Sequence, residues 1–175
     1  MEDLRYPIGR FEQKPYADEV REEWLADIKF LPQAMEHAIS NLTEEQIQTP
    51  YREGGWTVHQ LVHHVADSHM NAYIRFKLAL TEENPTIKPY EEAAWAKLPD
   101  TFKVPINVSV TLLHALHLRW TAINEKITIE EFEKRTVFHP EHQKQMTLWH
   151  LLGMYAWHCR HHVAHINTLK ENRNW

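Results

Sequence analysis

A lone cysteine, four glycines and the lack of any strongly basic stretch set the first limits on this chain of 175 residues. Cys159 cannot close a disulfide within the chain, so stability must come from a packed core, and a reducing compartment such as the cytoplasm suits it. So few glycines, with nine prolines, argue against a turn-rich all-β fold and against disorder. A net charge of −5 and the absence of a Lys/Arg cluster exclude a nucleic-acid partner. No run approaches the roughly 20 apolar residues that span a bilayer, which excludes a membrane protein of that kind. The opening residues Met1 to Pro7 carry no signal-peptide-like apolar segment. The expectation is one cytoplasmic domain over residues 1–175.

What the chain does hold in excess is histidine, with fourteen, and tryptophan, with seven. Apolar residues at 43% and charged residues at 25% otherwise describe an ordinary globular composition. Four stretches show the three-and-four spacing of an amphipathic helix. The first runs from Asp18 to about Asn41, with Val20, Trp24, Ile28, Leu31, Met35 and Ala38 on one face. Pro32 falls inside it and predicts a kink or a break. The second runs from Thr57, which has Gln60 at the capping-box position, to about Thr81. The third runs from about Asn107 to Lys126, with Leu116, Leu118 and Trp120 in its apolar set. The fourth starts at Thr147 and carries Leu148, Leu151, Leu152, Tyr155, Ile166 and Leu169.

Capping boxes at Thr43–Gln46 and Thr128–Glu131 open short helices. Residues 1–17 read as irregular, with Tyr6, Ile8, Phe11 and Tyr16 available to pin them down. No strand is convincing, although a short pair around 135–138 and 143–146 fits the pattern. Residues 82–105 hold four prolines and one short helix, from about Glu91 to Leu98. This long connection gives the expected fold: all-α, a four-helix bundle with one long crossover.

The chemistry concentrates in Trp157–His165, where His158, His161, His162 and His165 fall in eight residues. On a helix His158 shares a face with His162, and His161 with His165, so either pair can offer two nitrogens to one ion. The second helix carries His59, His63, His64 and His69. His69 sits mid-stripe, with His63 and His64 on either side. Any one of these histidines, taken singly, is a hydrogen-bonded structural residue more often than a ligand. A three-histidine set drawn from the two helices favours a metal, because neutral imidazole is the commonest protein ligand. The helical wheel does not choose the members. Asp67 points away from the core stripe. Cys159 reads as a buried, inert thiol, Arg75 as an ion-pairing and packing residue, and Trp56, Trp120, Trp149 and Trp157 as core.

The run Gly54–Asn71, continuing through Ala72–Glu83, closely resembles the YfiT-like branch of the DinB superfamily. Tyr6–Gly9 and Tyr155–His165 resemble the same family's opening and last helix, so the similarity covers nearly the whole chain. The resemblance implies a four-helix bundle with one divalent metal, usually zinc or nickel, on three histidines. Carried over by position, these are His64, His161 and His165. It also implies a homodimer and metal-dependent hydrolysis of a small-molecule substrate by an activated water. Its alternative is transfer of a low-molecular-weight thiol such as bacillithiol, through a metal-bound thiolate. A bundle that binds metal without turnover is the third reading. Three neutral ligands leave an open position, the pattern of catalytic rather than structural sites, and serve both chemistries equally. No general base can be assigned from the sequence.

Overall fold

The computed structural model describes residues 2–175, with the side chains from Leu4 onward. Four long helices carry the fold: α2 (Asp18–Ile39), α4 (Val58–Thr81), α7 (Ile106–Asn124) and α9 (Leu148–Arg173). Short helices precede the bundle and fill its connections: α1 (Glu2–Arg5) ahead of α2, then α3 (Glu44–Ile47), α5 (Glu92–Trp95), α6 (Pro99–Lys103) and α8 (Ile129–Lys134). The first of these lies where the sequence reads as irregular. The capping boxes form as expected at Thr43, Thr57 and Thr128, each with both reciprocal bonds, and Thr147 caps α9 through the His150 N–H.

α2 packs on α7 and α9, and α4 packs on the same two, so α2 and α4 occupy opposite corners. The chain therefore crosses the bundle between α2 and α4 and again between α7 and α9. The long connection over residues 82–105 joins neighbouring corners. An antiparallel hairpin, β1 (Thr136–His139) with β2 (Lys144–Thr147), pairs Val137 with Met146. It ties down the connection through Ile87 N–H to the Phe138 carbonyl at 3.0 Å and Phe138 N–H to the Pro85 carbonyl at 2.9 Å.

The core is one cluster that includes Trp24, Ile28, Leu31, Met35, Leu61, Phe76, Leu113, Trp120, Leu148 and Leu152. Leu118 departs from the expected pattern: it is 75% exposed, on the outer side of α7. Two indole N–H groups fasten the N-terminal segment onto α9, Trp157 to the Gly9 carbonyl and Trp149 to the Lys14 carbonyl. α2 runs unbroken through Pro32. Pro32 has no N–H for the Ile28 carbonyl four residues earlier, and that carbonyl finds its partner elsewhere, as described below.

Candidate metal centre

α4 and α9 bring five histidines to one cleft of about 380 Å³: His64 from α4, and His158, His161, His162 and His165 from α9. The four-residue spacing does on α9 what helix geometry requires. The Nε2 atoms of His161 and His165 lie 3.0 Å apart, and so do those of His158 and His162. The His64 ring lies 5.0 Å from that of His162 and 5.5 Å from that of His158. Among the described residues two sets bring their ligand atoms within 4.8 Å of one another, His64–His158–His162 and His161–His162–His165. Of the three expected ligands, His161 and His165 therefore stand together. His64 shares their cleft but groups with the neighbouring pair, and His162 is common to both sets.

The donor set suits a divalent ion. Two bonds of about 2.0–2.1 Å to one ion, spanning the 3.0 Å between His161 and His165, enclose roughly 95°, within the range of ordinary coordination. The rings are also in the right protonation state. Burial holds His64 and His161 down to about 4 and His165 to about 3, the last helped by the neighbouring His161 and the positive charge of Arg52. At neutral pH each therefore offers a lone pair and no competing proton charge. Aromatic rings wall the cleft: Trp157 stacks on His161 at 4.3 Å, Trp56 lies 4.6 Å from His64, and Tyr51 lies 4.1 Å from His165.

Behind the cleft a chain of imidazoles runs into the core. His162 Nε2 meets His158 Nε2 at 3.0 Å, His158 Nδ1 meets His69 Nε2 at 3.0 Å, and His69 Nδ1 meets His117 Nε2 at 2.8 Å. The chain ends where His117 Nδ1 donates to the carbonyl of Ile28, the group that Pro32 leaves without a helical partner. A carbonyl can only accept, so the hydrogen of His117 is on Nδ1. Burial keeps all four rings neutral, and a neutral imidazole has one N–H. By elimination His117, His69 and His158 all carry it on Nδ1, and His162 carries it on Nε2, where it donates to His158.

The remaining candidates sort plainly. His63 bonds Ser109 Oγ at 2.7 Å and lies 3.0 Å from the Val104 carbonyl, joining α4 to the start of α7. Asp67 is half-buried, with its carboxyl pushed up to about 6 by burial, and does not line the cleft. Cys159 is 2% exposed, and burial raises its thiol well above the usual range, as expected of an inert core residue. Trp120 and Trp149 are core residues. Trp56 and Trp157 are not: both line the histidine cleft, because the loop before α4 and the N-terminal segment fold over it. Arg75 makes no ion pair among the described residues and instead donates to the Tyr155 hydroxyl at 2.8 Å.

A four-helix bundle that turns histidines from two facing helices into a shared cleft is of the class that builds metal sites between its helices. The chain belongs to the DinB superfamily, whose family model (DinB_2) matches residues 27–166. It is 53% identical over 176 residues to a protein of Bacillus cereus strain B4264 and 52% identical to one of Bacillus anthracis strain CDC 684, with 100% of each chain covered in both cases. Both relatives bear the name "Putative metal-dependent hydrolase". A solved structure, YfiT from Bacillus subtilis, superposes with a TM-score of 0.95 at 45% identity, covering 99% of both chains. That protein is described as a probable metal-dependent hydrolase with an unusual four-helix bundle topology.

Proposed function

We propose that the protein is a metal-dependent hydrolase acting on a small-molecule substrate, with His64, His161 and His165 holding one divalent ion, zinc or nickel. The observation that carries this reading is the 3.0 Å approach of two neutral Nε2 atoms, those of His161 and His165, in the cleft that also receives His64. The imidazole chain supports the choice of ligands. It commits the Nε2–H of His162 to His158, so the pair can join an ion only by giving up that bond. His64 takes no part in the chain and is the α4 residue left to complete the set.

An ion on three neutral imidazoles keeps its full charge and an open position, and supplies Lewis acidity that lowers the pKa of a coordinated water, or of a coordinated thiol, toward neutrality. The chain's own residues set the surroundings. Trp56, Trp157 and Tyr51 shield the ligand rings from water, which strengthens electrostatic interactions in the cleft. His158 turns its unprotonated Nε2 away from the core, a position imposed by His69 behind it. Such outer bonds orient the groups around a metal.

The second reading is transfer of a low-molecular-weight thiol to an electrophile. It is the reading that needs no general base, and with Cys159 sealed in the core its thiolate would come from a co-substrate. The lone cysteine, Cys159, which has no partner for a disulfide within the chain, supports residence in a reducing compartment such as the cytoplasm. A homodimer completes the reading on the strength of the family resemblance.

The test is elemental analysis of the protein purified without an affinity tag. His161→Ala is expected to lose most of its divalent metal, and full occupancy in that variant would overturn the ligand assignment. Incubation with a small thiol and an electrophilic acceptor separates the chemistries. Ester or amide turnover without thiol supports hydrolysis, metal-dependent conjugate formation supports transfer, and neither across a broad panel leaves a binding protein.

A further inference from the structure

A second cavity, of about 480 Å³, opens beside the histidine cleft and shares Glu92, Trp157 and His158 with it. Its walls hold polar groups that the fold does not use. Arg75 enters from α4 with two of its donors engaged, one on the Tyr155 hydroxyl at 2.8 Å and one on the Lys88 carbonyl at 3.4 Å. A guanidinium has five N–H donors in a planar fork shaped for a carboxylate or phosphate. Among the described residues no carboxylate stands at ion-pair distance from it, although its charge acts on Glu92 across the cavity. The buried Nδ1 of His139 has no hydrogen-bond partner, and the buried Tyr90 hydroxyl has only a poorly aligned neighbour in Ser68. Both residues line this cavity. Buried polar atoms with poor or missing partners are costly, and their convergence on one space suits something that enters it.

The charges say what kind of molecule. A plain anion would meet Arg75 but would also meet Glu92, Glu91 and Glu141, which line the same cavity. A plain cation would meet Arg75 as a repulsion. A molecule carrying one carboxylate and one ammonium group satisfies both signs. Glu92 stands where the two cavities meet and makes no ion pair among the described residues.

We propose that the cavity beside the histidine cleft is a recognition subsite for a small zwitterion of amino-acid type, with Arg75 receiving its carboxylate and Glu92 its ammonium group. Tyr90 and His139 supply further hydrogen bonds to the carboxylate end. His158 and Trp157 form the shared wall, so the rest of such a molecule extends toward the histidines. The subsite rests on the metal-centre reading for its purpose, though not for its existence.

The test uses full-length protein labelled with ¹⁵N and titrated with glycylglycine. The indole N–H of Trp157, which lines both cavities, serves as the reporter. Succinate and 1,4-diaminobutane are the dianionic and dicationic controls. Because a bound metal also chelates amino acids, each titration is run on zinc-loaded protein and on protein stripped with a chelator and dialysed. The expected result is glycylglycine binding in both forms, tighter than either control. Arg75→Gln should weaken it at least tenfold in both, and Arg75→Lys should weaken it less. Glu92→Gln should weaken glycylglycine and raise succinate toward it.

Binding by Arg75→Gln within twofold of the parent would overturn the proposal. So would binding that vanishes with the metal while Arg75→Gln leaves it intact, since the probe would then sit on the ion. Failure of the ligand assignment shows separately, as metal retained by His161→Ala.

Discussion

Pro32 withholds the N–H that would close on the Ile28 carbonyl, and His117 fills the place with its Nδ1–H. Both Ile28 and His117 are buried, at 0% and 1% exposure, so neither group has water as a substitute. Replacing His117 with Phe leaves that carbonyl without a partner. Adding Pro32→Ala then restores an intrahelical donor to it. The expected outcome is a coupled pair: Pro32→Ala stabilises the His117→Phe background by about 1–3 kcal/mol more than it stabilises the parent. Urea unfolding of the four proteins measures this. Equal effects in both backgrounds would show that Ile28 and His117 do not depend on each other.

Acid should unfold the metal-free protein early, and His117 contributes a definite share. Burial is the main cause that holds its folded-state value down to about 4, against the ordinary imidazole value of 6.5. Below pH 6.5 the unfolded chain therefore binds a proton that the folded chain refuses. Stability is fully present above that pH and falls as pH drops toward 4. A shift of that size corresponds to about 3 kcal/mol. His117→Phe is less stable at pH 7 but should lose less on acidification, which denaturant midpoints at pH 7 and pH 4.5 would reveal. A parallel loss in both proteins would mean that His117 is not held neutral.

The α2–α9 contact depends on Gly153. A Cβ added there would lie 2.5 Å from the Trp24 ring, which is itself 1% exposed and packed 4.4 Å from Trp149. Alanine in mid-helix gains about 1 kcal/mol in propensity. Against that, overpacking of a filled core costs about 1–3 kcal/mol, and Trp24 has no room to retreat. Gly153→Ala should destabilise on balance, by about 1–2 kcal/mol, with a fall in thermal midpoint. A gain in stability would show that Trp24 repacks freely.

Much of this was written locally. Thr43, Thr57, Thr128 and Thr147 announce their helices through caps that act within four residues, and the spacing of His161 and His165 follows from helix pitch alone. The parts that were not legible depend on partners far along the chain. Trp56 and Trp157 look like core residues on a wheel, and only the folding of the N-terminal segment and of the loop at Arg52–Gly55 over α9 makes them walls of a cleft. Pro32 reads as a kink. Its consequence, a carbonyl released to a histidine 89 residues away, exists only once α7 lies against α2. His117 itself sits in an apolar helix with nothing nearby in sequence to mark it. Arg75 reads as an ion-pairing residue because its actual partner, the Tyr155 hydroxyl, lies 80 positions on.

Metal should bind the folded protein far better than the unfolded one, because α4 and α9 must pack before His64 can face His161 and His165. A ligand of that kind raises stability in step with its concentration, by about 2.7 kcal/mol at one hundred times its dissociation constant. Zinc added to stripped protein at pH 7 should therefore raise the thermal midpoint progressively. On the proposed assignment the increase should be lost in His161→Ala and in His64→Ala alike, since each would remove one ligand of three. His158→Ala separates the proposed set from His64–His158–His162, and His64→Ala separates it from His161–His162–His165, which would keep the rise. If His64, His158 and His162 hold the ion instead, His158→Ala abolishes the zinc-dependent rise and His161→Ala spares it. If the ion sits on His64, His161 and His165, the rise persists in His158→Ala with a reduced slope, because His158 orients the cleft without entering the coordination sphere.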